Sequence, residues 1–544
     1  MAKYVLVPDT TLSRHYRNYP LLDFLPCAPS GAVPPFIYEY LKGEPLPAIN
    51  GRAPAAPYAL RKLEAALLRE HRQDDVVIPH ESYIEEFIGE DTEVIGVYTM
   101  DPLGIAPLTL SYAVLFNSPG KPYVRLEFER LIQRLNRARR GLKAKLVVGG
   151  PGVWEFTVLP EELARLGIDY AFQGEAEDVI NDLFRDIAED RVYTRGFFRG
   201  FQSFDERFNK VWIGYDRFIS RARYSKQFPT LEEIPPIRAP SIKGLVEVMR
   251  GCGIGCDFCE VTLRALRYYP PEYVRAEVSV NVAGGYSNAW VQSDEIFAYM
   301  HGRNFEPNQE AILELFSTIM ATRGVTHSNP THGRISIPAG YPELIQRLSR
   351  VLRASRDNWI GIQVGIETGS ERLAKIHMPN KTLPLRIGAD GSWQEIVIEG
   401  TKNLNRYYWK PAFTVQVGQP DETPEDNWDT VELINKLSTA TVNGRELEFT
   451  VTPMQNVSLG LLKSRGLTSS MLDKSQLAVY YACYRHLAKM VMRIGFHSSS
   501  GDPFTRVVTT TILVAGGLTL LKYIEQLCKK RGLDPEKVKR YGLT

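Results

Sequence analysis

Residues 252–259 read Cys-Gly-Ile-Gly-Cys-Asp-Phe-Cys, a C-x3-C-x2-C spacing that follows directly on the apolar run Leu245–Met249. Three of the chain's six cysteines lie on this one loop. Three thiolates so placed can each hold one iron of a cubane [4Fe–4S] cluster, which leaves the fourth iron without a protein ligand. Gly251, Gly253 and Gly255 suit a loop wrapped closely around such a group, because glycine reaches φ > 0 without a Cβ clash. Phe258 puts an aromatic ring beside the open iron. A zinc ribbon would need a second cysteine pair, and the sequence has none. Zinc held with one distant fourth ligand remains the alternative.

Composition narrows the partners. The chain has 544 residues, 44% of them hydrophobic and 24% charged, in line with a soluble globular protein of two to four domains. The net charge of +2 gives no electrostatic support for a nucleic-acid partner. The basic run from Arg130 to Lys145 has helical spacing and reads as a solvated face. Cys27, Cys483 and Cys528 are scattered, so they read as buried structural residues rather than a disulfide framework or a second cluster. A reducing cytoplasm is the expected location. The opening MAKYVLVPDT has no signal-peptide pattern.

Hydrophobic patterning predicts an α/β chain. Tyr4–Pro8, Asp75–Pro79, Val94–Thr99, Lys145–Val148 and Ile168–Gln173 read as buried strands, with helices over Ala59–His71 and Asp178–Ala188. Buried apolar strands alternating with helices predict a doubly wound parallel sheet over residues 1–190. Ligands bind such sheets at the carboxyl ends of the strands. Residues 10–58 form a long proline-rich loop, a type that is often functional. Residues 191–242 read as a linker stiffened by proline. A second α/β domain is expected over 243–455, with strands at Leu245–Met249, Ala289–Gln292, Ile335–Ile337, Trp359–Val364 and Phe413–Val417. Residues 456–544 read as a helical C-terminal domain. Val507–Leu521 carries no charge over 15 residues. It is too short to span a bilayer comfortably and is expected as a buried helix or strand pair, with membrane-surface contact as the alternative.

The cysteine loop, in the form C-x3-C-x-aromatic-C, resembles the cluster motif of the radical S-adenosylmethionine (radical SAM) superfamily. The resemblance implies a partial β/α barrel of TIM type over 243–455, with chemistry at the carboxyl ends of its strands. It implies that Cys252, Cys256 and Cys259 ligate the cluster and that S-adenosylmethionine binds the open iron. Reductive cleavage to a 5′-deoxyadenosyl radical would follow, the cofactors carrying the hard chemistry. Gly365-Ile366-Glu367-Thr368-Gly369-Ser370 resembles the family's Gly-Ile-Glu-x-Gly-Ser segment, which implies Glu367 and Gly365 at the cosubstrate; the plain alternative is a turn with Ser370 capping a helix. Gln292-Ser293-Asp294-Glu295 stands where the family often has Gly-Gly-Glu, so Ser293 and Asp294 are candidate cosubstrate contacts although the glycines are missing. Val417–Thr423 resembles a Gly-Leu-Pro-Gly-Glu-Thr turn but departs at Gln419 and Asp421, so only its backbone shape carries over.

Residues 1–190 resemble the cobalamin-binding domain of many radical SAM enzymes. This implies that Gly149, Gly150, Gly152, Gly174, Glu175 and Thr99 face cobalamin. The D-x-H-x-x-G element of some cobalamin proteins is absent, with His15 and His80 in the wrong surroundings, so a version of the domain without cofactor stays open. The leading expectation is cobalamin-dependent methyl transfer to an unactivated carbon. The rival is radical carbon–carbon coupling or cyclisation of a large apolar substrate such as an archaeal membrane lipid. A sensor without catalysis and radical methylthiolation of tRNA fit less well, the latter because a second cysteine triad is missing. A peptide, a natural product or a lipid are all open as substrate, and a reducing electron donor is required.

Overall fold

The computed structural model describes residues 1–117, 120–192, 217–225, 227–459, 471–498 and 502–543. The chain divides into two compact units. Unit 1 comprises Met1–Tyr16, Leu21–Val246 and Ala276–Tyr286; unit 2 comprises Arg17–Pro20, Glu247–Arg275 and Ser287–Thr544.

Unit 1 is built on six strands: β1 (Tyr4–Pro8), β2 (Val76–Val77), β3 (Val94–Tyr98), β4 (Lys145–Gly149), β5 (Tyr170–Gln173) and β6 (Phe218–Ser220). They pair in the order β2-β1-β3-β4-β5-β6, every neighbouring pair parallel. Helices α1 (Tyr58–Leu67), α2 (Tyr123–Ala138) and α3 (Ile180–Ala188) cover the sheet. Strand alternation decides which face each residue serves. Tyr4 and Leu6 of β1 join Leu60 and Leu67 of α1 and Leu183 and Phe184 of α3. Val5 and Val7 join Phe128, Leu131 and Ile132 of α2. Helices therefore lie on both faces, and the strands read as continuous apolar runs because neither face meets water. Each fully buried Leu or Phe contributes about 1.5–3 kcal/mol. The chain direction across the sheet reverses between β1 and β3, the switch point at which open parallel sheets leave a crevice.

Strand β6 lies in the stretch read as linker. Only Phe218 and Ile219 mark it as apolar, too short a run for a period to show, and pairing with β5 is what makes it a strand. Residues 193–216 of that expected linker lie outside the described residues.

Unit 2 carries β7 (Leu245–Glu247, entering from unit 1), β8 (Asn288–Gln292), β9 (His327–Pro330), β10 (Ile360–Glu367), β11 (Trp409–Val417) and β12 (Thr450–Gln455). They form two three-stranded sheets, β9-β8-β7 and β10-β11-β12. An isolated parallel bridge between His332 and Gln363 joins the loop after β9 to β10. Helices α4 (Gln309–Ala321), α5 (Pro342–Val351), α6 (Glu371–His377), α7 (Trp393–Arg406) and α8 (Pro424–Thr439) separate the strands in sequence. Capping boxes start α7 (Ser392 with Glu395) and α8 (Thr423 with Asp426), each worth about 1 kcal/mol. The expected strand at Ile335–Ile337 is instead the start of a short helix, Ser336–Gly340, while the true strand is His327–Pro330. His-Ser-Asn-Pro has almost no β propensity, and neighbouring strands impose its conformation.

The segment after residue 456 belongs to unit 2, where α9 (Lys474–Ser498) packs on α8 and β12. His486 on α9 is buried and stacks on Phe449 with ring centroids 3.8 Å apart. Its Nε2 donates to the Phe449 carbonyl at 3.0 Å and its Nδ1 faces Ser438 Oγ at 2.9 Å. Burial pushes its pKa down to about 4. The folded protein therefore holds this imidazole neutral, whereas the unfolded chain takes up a proton below about pH 6.5. Stability contributed here is complete above pH 6.5 and declines as pH falls towards 4, by on the order of 3 kcal/mol in total. Urea denaturation from pH 7 to 4.5 should show a shallower decline in His486→Gln than in the wild type.

The expectation of a buried segment at Val507–Leu521 is corrected. It is part of α10 (Pro503–Lys530), a continuous 28-residue helix whose most apolar 18-residue window has mean hydropathy 1.7 and is only 11% buried. Thr509, Ile524 and Cys528 are its buried residues. Among the described residues it is the one helix long and apolar enough to cross a membrane by length and composition. Sequence shows that a segment is apolar, but only packing shows whether anything covers it.

Candidate functional site

The three predicted ligand cysteines come together on the loop after β7. Cys252 and Cys256 are buried and Cys259 is half-buried. Burial pushes the Cys252 and Cys256 thiols up to about 12 and raises Cys259 as well, and each is further raised by a neighbouring thiol or carboxylate. Three mutually close thiols, two of them buried, have little reason to ionise without a metal, and coordination is what deprotonates them. Among the described residues no three His, Cys, Asp or Glu side chains converge as the ligands of one metal ion. A cubane asks for a different layout, because each thiolate binds its own iron. The donor set therefore fits a cluster better than a mononuclear zinc site.

The loop's shape is fixed from several sides. Gly251, Gly253 and Gly255 have φ of 75°, 69° and 87°. At Gly251 a Cβ would sit 2.8 Å from the Arg264 carbonyl oxygen, so this position excludes any side chain. The Gly251 N–H donates to Asp294 Oδ2 at 2.7 Å, and Asn380 Nδ2 donates to the Ile254 carbonyl at 3.0 Å. His377 links the loop to the turn after β11, with Nδ1 2.9 Å from Asp257 Oδ2 and Nε2 2.8 Å from the Pro420 carbonyl. Phe258 is half-buried, and its carbonyl accepts from Leu459 N at 2.9 Å.

The other expected positions fall at the carboxyl ends of neighbouring strands. Glu367 ends β10 in the left-handed region, φ 61°, next to a register shift between Gly365 and Glu367. A side chain rarely adopts such a φ without compensating contacts. Here Glu367 Oε1 pairs with Lys381 Nζ at 2.9 Å, Oε2 accepts from Gln416 Nε2 at 3.0 Å, and the backbone carbonyl accepts from Gln419 Nε2 at 3.2 Å. Burial would lower the Lys381 ammonium, but Glu367 and Cys256 outweigh it and hold it above the usual lysine range. Lys381 thus places a cation beside the cysteine loop. Arg334 is a second buried cation, 3.7 Å from Glu295 and electrostatically coupled to Cys252. Neither was legible in the sequence, where each is one basic residue among many.

Gly365 has a specific role. A Cβ there would lie 2.0 Å from Glu367 Oε1 and 2.9 Å from Lys381 Nζ. Gly365→Ala should force this pair apart and destabilise unit 2 by about 1–3 kcal/mol, read as a lower urea midpoint with an unchanged m-value. Ser370 is the helix cap of the plainer reading: its Oγ accepts from Leu373 N at 3.3 Å at the start of α6. Asp294 holds the cysteine loop, as above. Ser293 is fully buried, its N–H donating to Thr331 Oγ1 at 3.1 Å and its carbonyl facing His332 Nδ1 at 3.2 Å. The Val417–Thr423 turn is organised by Glu422, whose Oε2 accepts from Gly418 N and Gln419 N at 2.8 and 3.0 Å. Those bonds set the backbone shape of the turn, and Gln419, one of its departures from the family's pattern, holds the Glu367 carbonyl.

In unit 1, Thr99 sits at the carboxyl end of β3 and its Oγ1 lies 3.2 Å from Asp9 Oδ2, just beyond β1. The two therefore meet across the switch point. Asp9, which sequence reading missed, is buried, and burial pushes its carboxyl up to about 6. Gly150 and Gly152 pack against the backbone beyond β3: added Cβ atoms would lie 2.6 Å from the Thr99 carbonyl and 2.5 Å from that of Met100. Gly174, φ 121°, is closed in by Arg221, which also binds the Glu175 carbonyl at 2.6 Å and grips Asp178 with both Nη atoms. Internal packing thus explains these three glycines. At Gly149 an added Cβ would meet the Phe172 carbonyl oxygen only at 4.0 Å, so packing leaves this position unclashed.

Residues 246–434 match the Radical SAM superfamily. Curated relatives include tRNA-2-methylthio-N(6)-dimethylallyladenosine synthases of Geobacillus thermodenitrificans (strain NG80-2), 26% identical over 39% of this chain and 38% of theirs, and of Oceanobacillus iheyensis, 24% identical over 40% and 48%. The chain thus spans less than half the length of these relatives. Among solved structures, the radical S-adenosylmethionine methyltransferase TsrM of Kitasatospora setae, determined with cobalamin and a [4Fe-4S] cluster, aligns with TM-score 0.47 and 16% identity over 83% of this chain and 75% of that one. The three-cysteine, glycine-shaped loop stands at the head of the matched region, so residues 246–434 carry a radical SAM domain, and that domain implies a [4Fe–4S] cluster and S-adenosylmethionine as cofactors.

Proposed function

We propose that this chain is a cobalamin-dependent radical SAM methyltransferase acting on an unactivated carbon. One observation carries the reading: the same chain that bears the three-thiol loop also contains a six-stranded parallel sheet whose order reverses between β1 and β3. Such a switch point is where doubly wound sheets take large cofactors. When bound, the cluster would supply one electron to cleave S-adenosylmethionine, and cobalamin would carry the methyl group. Cys252, Cys256 and Cys259 would hold the cluster, with Glu367 and Lys381 poised beside it. Thr99, Asp9 and Gly149, at the carboxyl ends of β3, β1 and β4, would be the residues of unit 1 nearest a cofactor at the switch point. The methyl acceptor would be a peptide, a natural product or a lipid, with a reducing electron donor, a cytoplasmic setting and no nucleic acid.

Anaerobic reconstitution with cobalamin, followed by iron and cobalt analysis, tests it. About four irons and one cobalt per chain are expected. Four irons without cobalt, with deoxyadenosine still formed, would reject the cobalamin part. About eight irons would favour a second cluster of the kind that methylthiolation needs.

A second reading, radical coupling or cyclisation of a lipid, is favoured by α10. Its exposed apolar surface, bounded by Arg506 and Lys522, suits a lipid interface with basic residues at its edges. On that reading the chain floats with anionic liposomes, and replacing the exposed Val507 and Leu518 with glutamate releases it. No flotation would remove membrane contact from the proposal.

A further inference from the structure

One short segment of unit 2, residues 377–381, runs along the cysteine loop and is fastened to it at two places. Between Cys256 and Cys259, His377 Nδ1 lies 2.9 Å from Asp257 Oδ2, and the Asp257 N–H donates to the His377 carbonyl at 3.0 Å. Between Cys252 and Cys256, Asn380 Nδ2 donates to the Ile254 carbonyl at 3.0 Å. Lys381 is the next residue, so the loop's own fastening brings an ammonium to the thiols. Its side chain is only 13% exposed.

That ammonium is partly neutralised. Among the described residues its one hydrogen-bond partner is Glu367 Oε1 at 2.9 Å, whereas an ammonium has three N–H donors to give. Glu367 is itself shared, because Gln416 Nε2 donates to its other oxygen at 3.0 Å and is held in turn by Asn456. At Cys256 and Cys259 alike, the attraction of Lys381 for negative charge outweighs the repulsion from Glu367. A cluster held by three thiolates gains further negative charge when it takes up an electron. A cation beside it therefore favours the reduced form, and net charge and hydrogen bonds to sulfur are among the factors that set the potential.

We propose that Lys381 sets the reduction potential of the cluster, raising it into the range of the electron donor, and that Glu367 moderates this charge. The proposal rests on the reading of Cys252, Cys256 and Cys259 as cluster ligands. Lys381 acts through its charge and transfers no proton.

Redox titration of the anaerobically reconstituted full chain, read by electron paramagnetic resonance of the reduced cluster without S-adenosylmethionine, tests this. Iron is measured first in every variant. Lys381→Met should make reduction at least about tenfold less favourable, a shift of about 59 mV to lower potential. Lys381→Arg, which keeps the charge, should stay near the wild type. Glu367→Gln should move the potential upward, because it removes an anion and leaves the ammonium without its counter-charge. A purely structural role for the pair would not give opposite signs. If Lys381→Met loses its iron, Glu367→Gln decides alone: a rise supports the proposal, and no change or a fall overturns it. An unchanged potential in an iron-replete Lys381→Met variant would also overturn it, as would a loss of S-adenosylmethionine binding without any shift. Wild-type protein that takes up no iron would instead reject the reading of the cysteine loop, and this proposal with it.

Discussion

Cys256→Ala will leave the reconstituted protein without its cluster: iron falls from about four per chain to below one, the broad visible iron–sulfur absorbance disappears, and no deoxyadenosine forms from S-adenosylmethionine. The same is expected of Cys252→Ala and Cys259→Ala. The cause is geometric. Each thiolate serves a different iron, so no remaining ligand can take over the vacated position. The scattered cysteines provide the control. Cys27, Cys483 and Cys528 are raised by burial, lie far apart in sequence and should be replaceable by serine or alanine with iron retained. Iron retained in full in any one of the triad variants would contradict the site.

Lys62→Met will destabilise unit 1 by about 3–5 kcal/mol, the largest effect of any substitution away from the cysteines. Lys62 and Glu277 are fully buried and paired with each other. Lys62 Nζ also donates to the Pro235 carbonyl at 3.0 Å. Glu277 accepts from Ile237 N at 2.9 Å and from Tyr58 OH at 2.7 Å. Removing the ammonium alone strands a carboxylate in an apolar interior, where its charge is costly. Lys62→Met with Glu277→Leu should recover part of the loss, since the stranded charge is gone while the Ile237 N–H and the Tyr58 hydroxyl lose their acceptor. Urea denaturation of the two variants checks this; equal losses in both would show that packing rather than stranded charge is responsible.

The cysteine loop, the apolar strands of the first sheet and their alternation with helices were written in local sequence, and the tertiary structure reproduces them. Thiol spacing and a five-residue apolar run are short-range properties, so they survive in a one-dimensional reading. Lys381, Arg334 and Asp9 were not legible, because each becomes distinctive only when a remote segment buries it. Strand His327–Pro330 was missed and Ile335–Ile337 misassigned for the same reason: neighbouring strands, not propensity, set the backbone there. The glycines after β3 and β5 show the reverse limit. Their presence was plain, but only the fold reveals that Gly150, Gly152 and Gly174 make room for the protein's own backbone and for Arg221. The sequence by itself thus determined the chemistry available at the thiols and the α/β class. The tertiary structure decided which charges stand beside the thiols and which face of α10 is left uncovered, because burial and pairing are properties of contacts between segments that the chain order keeps apart.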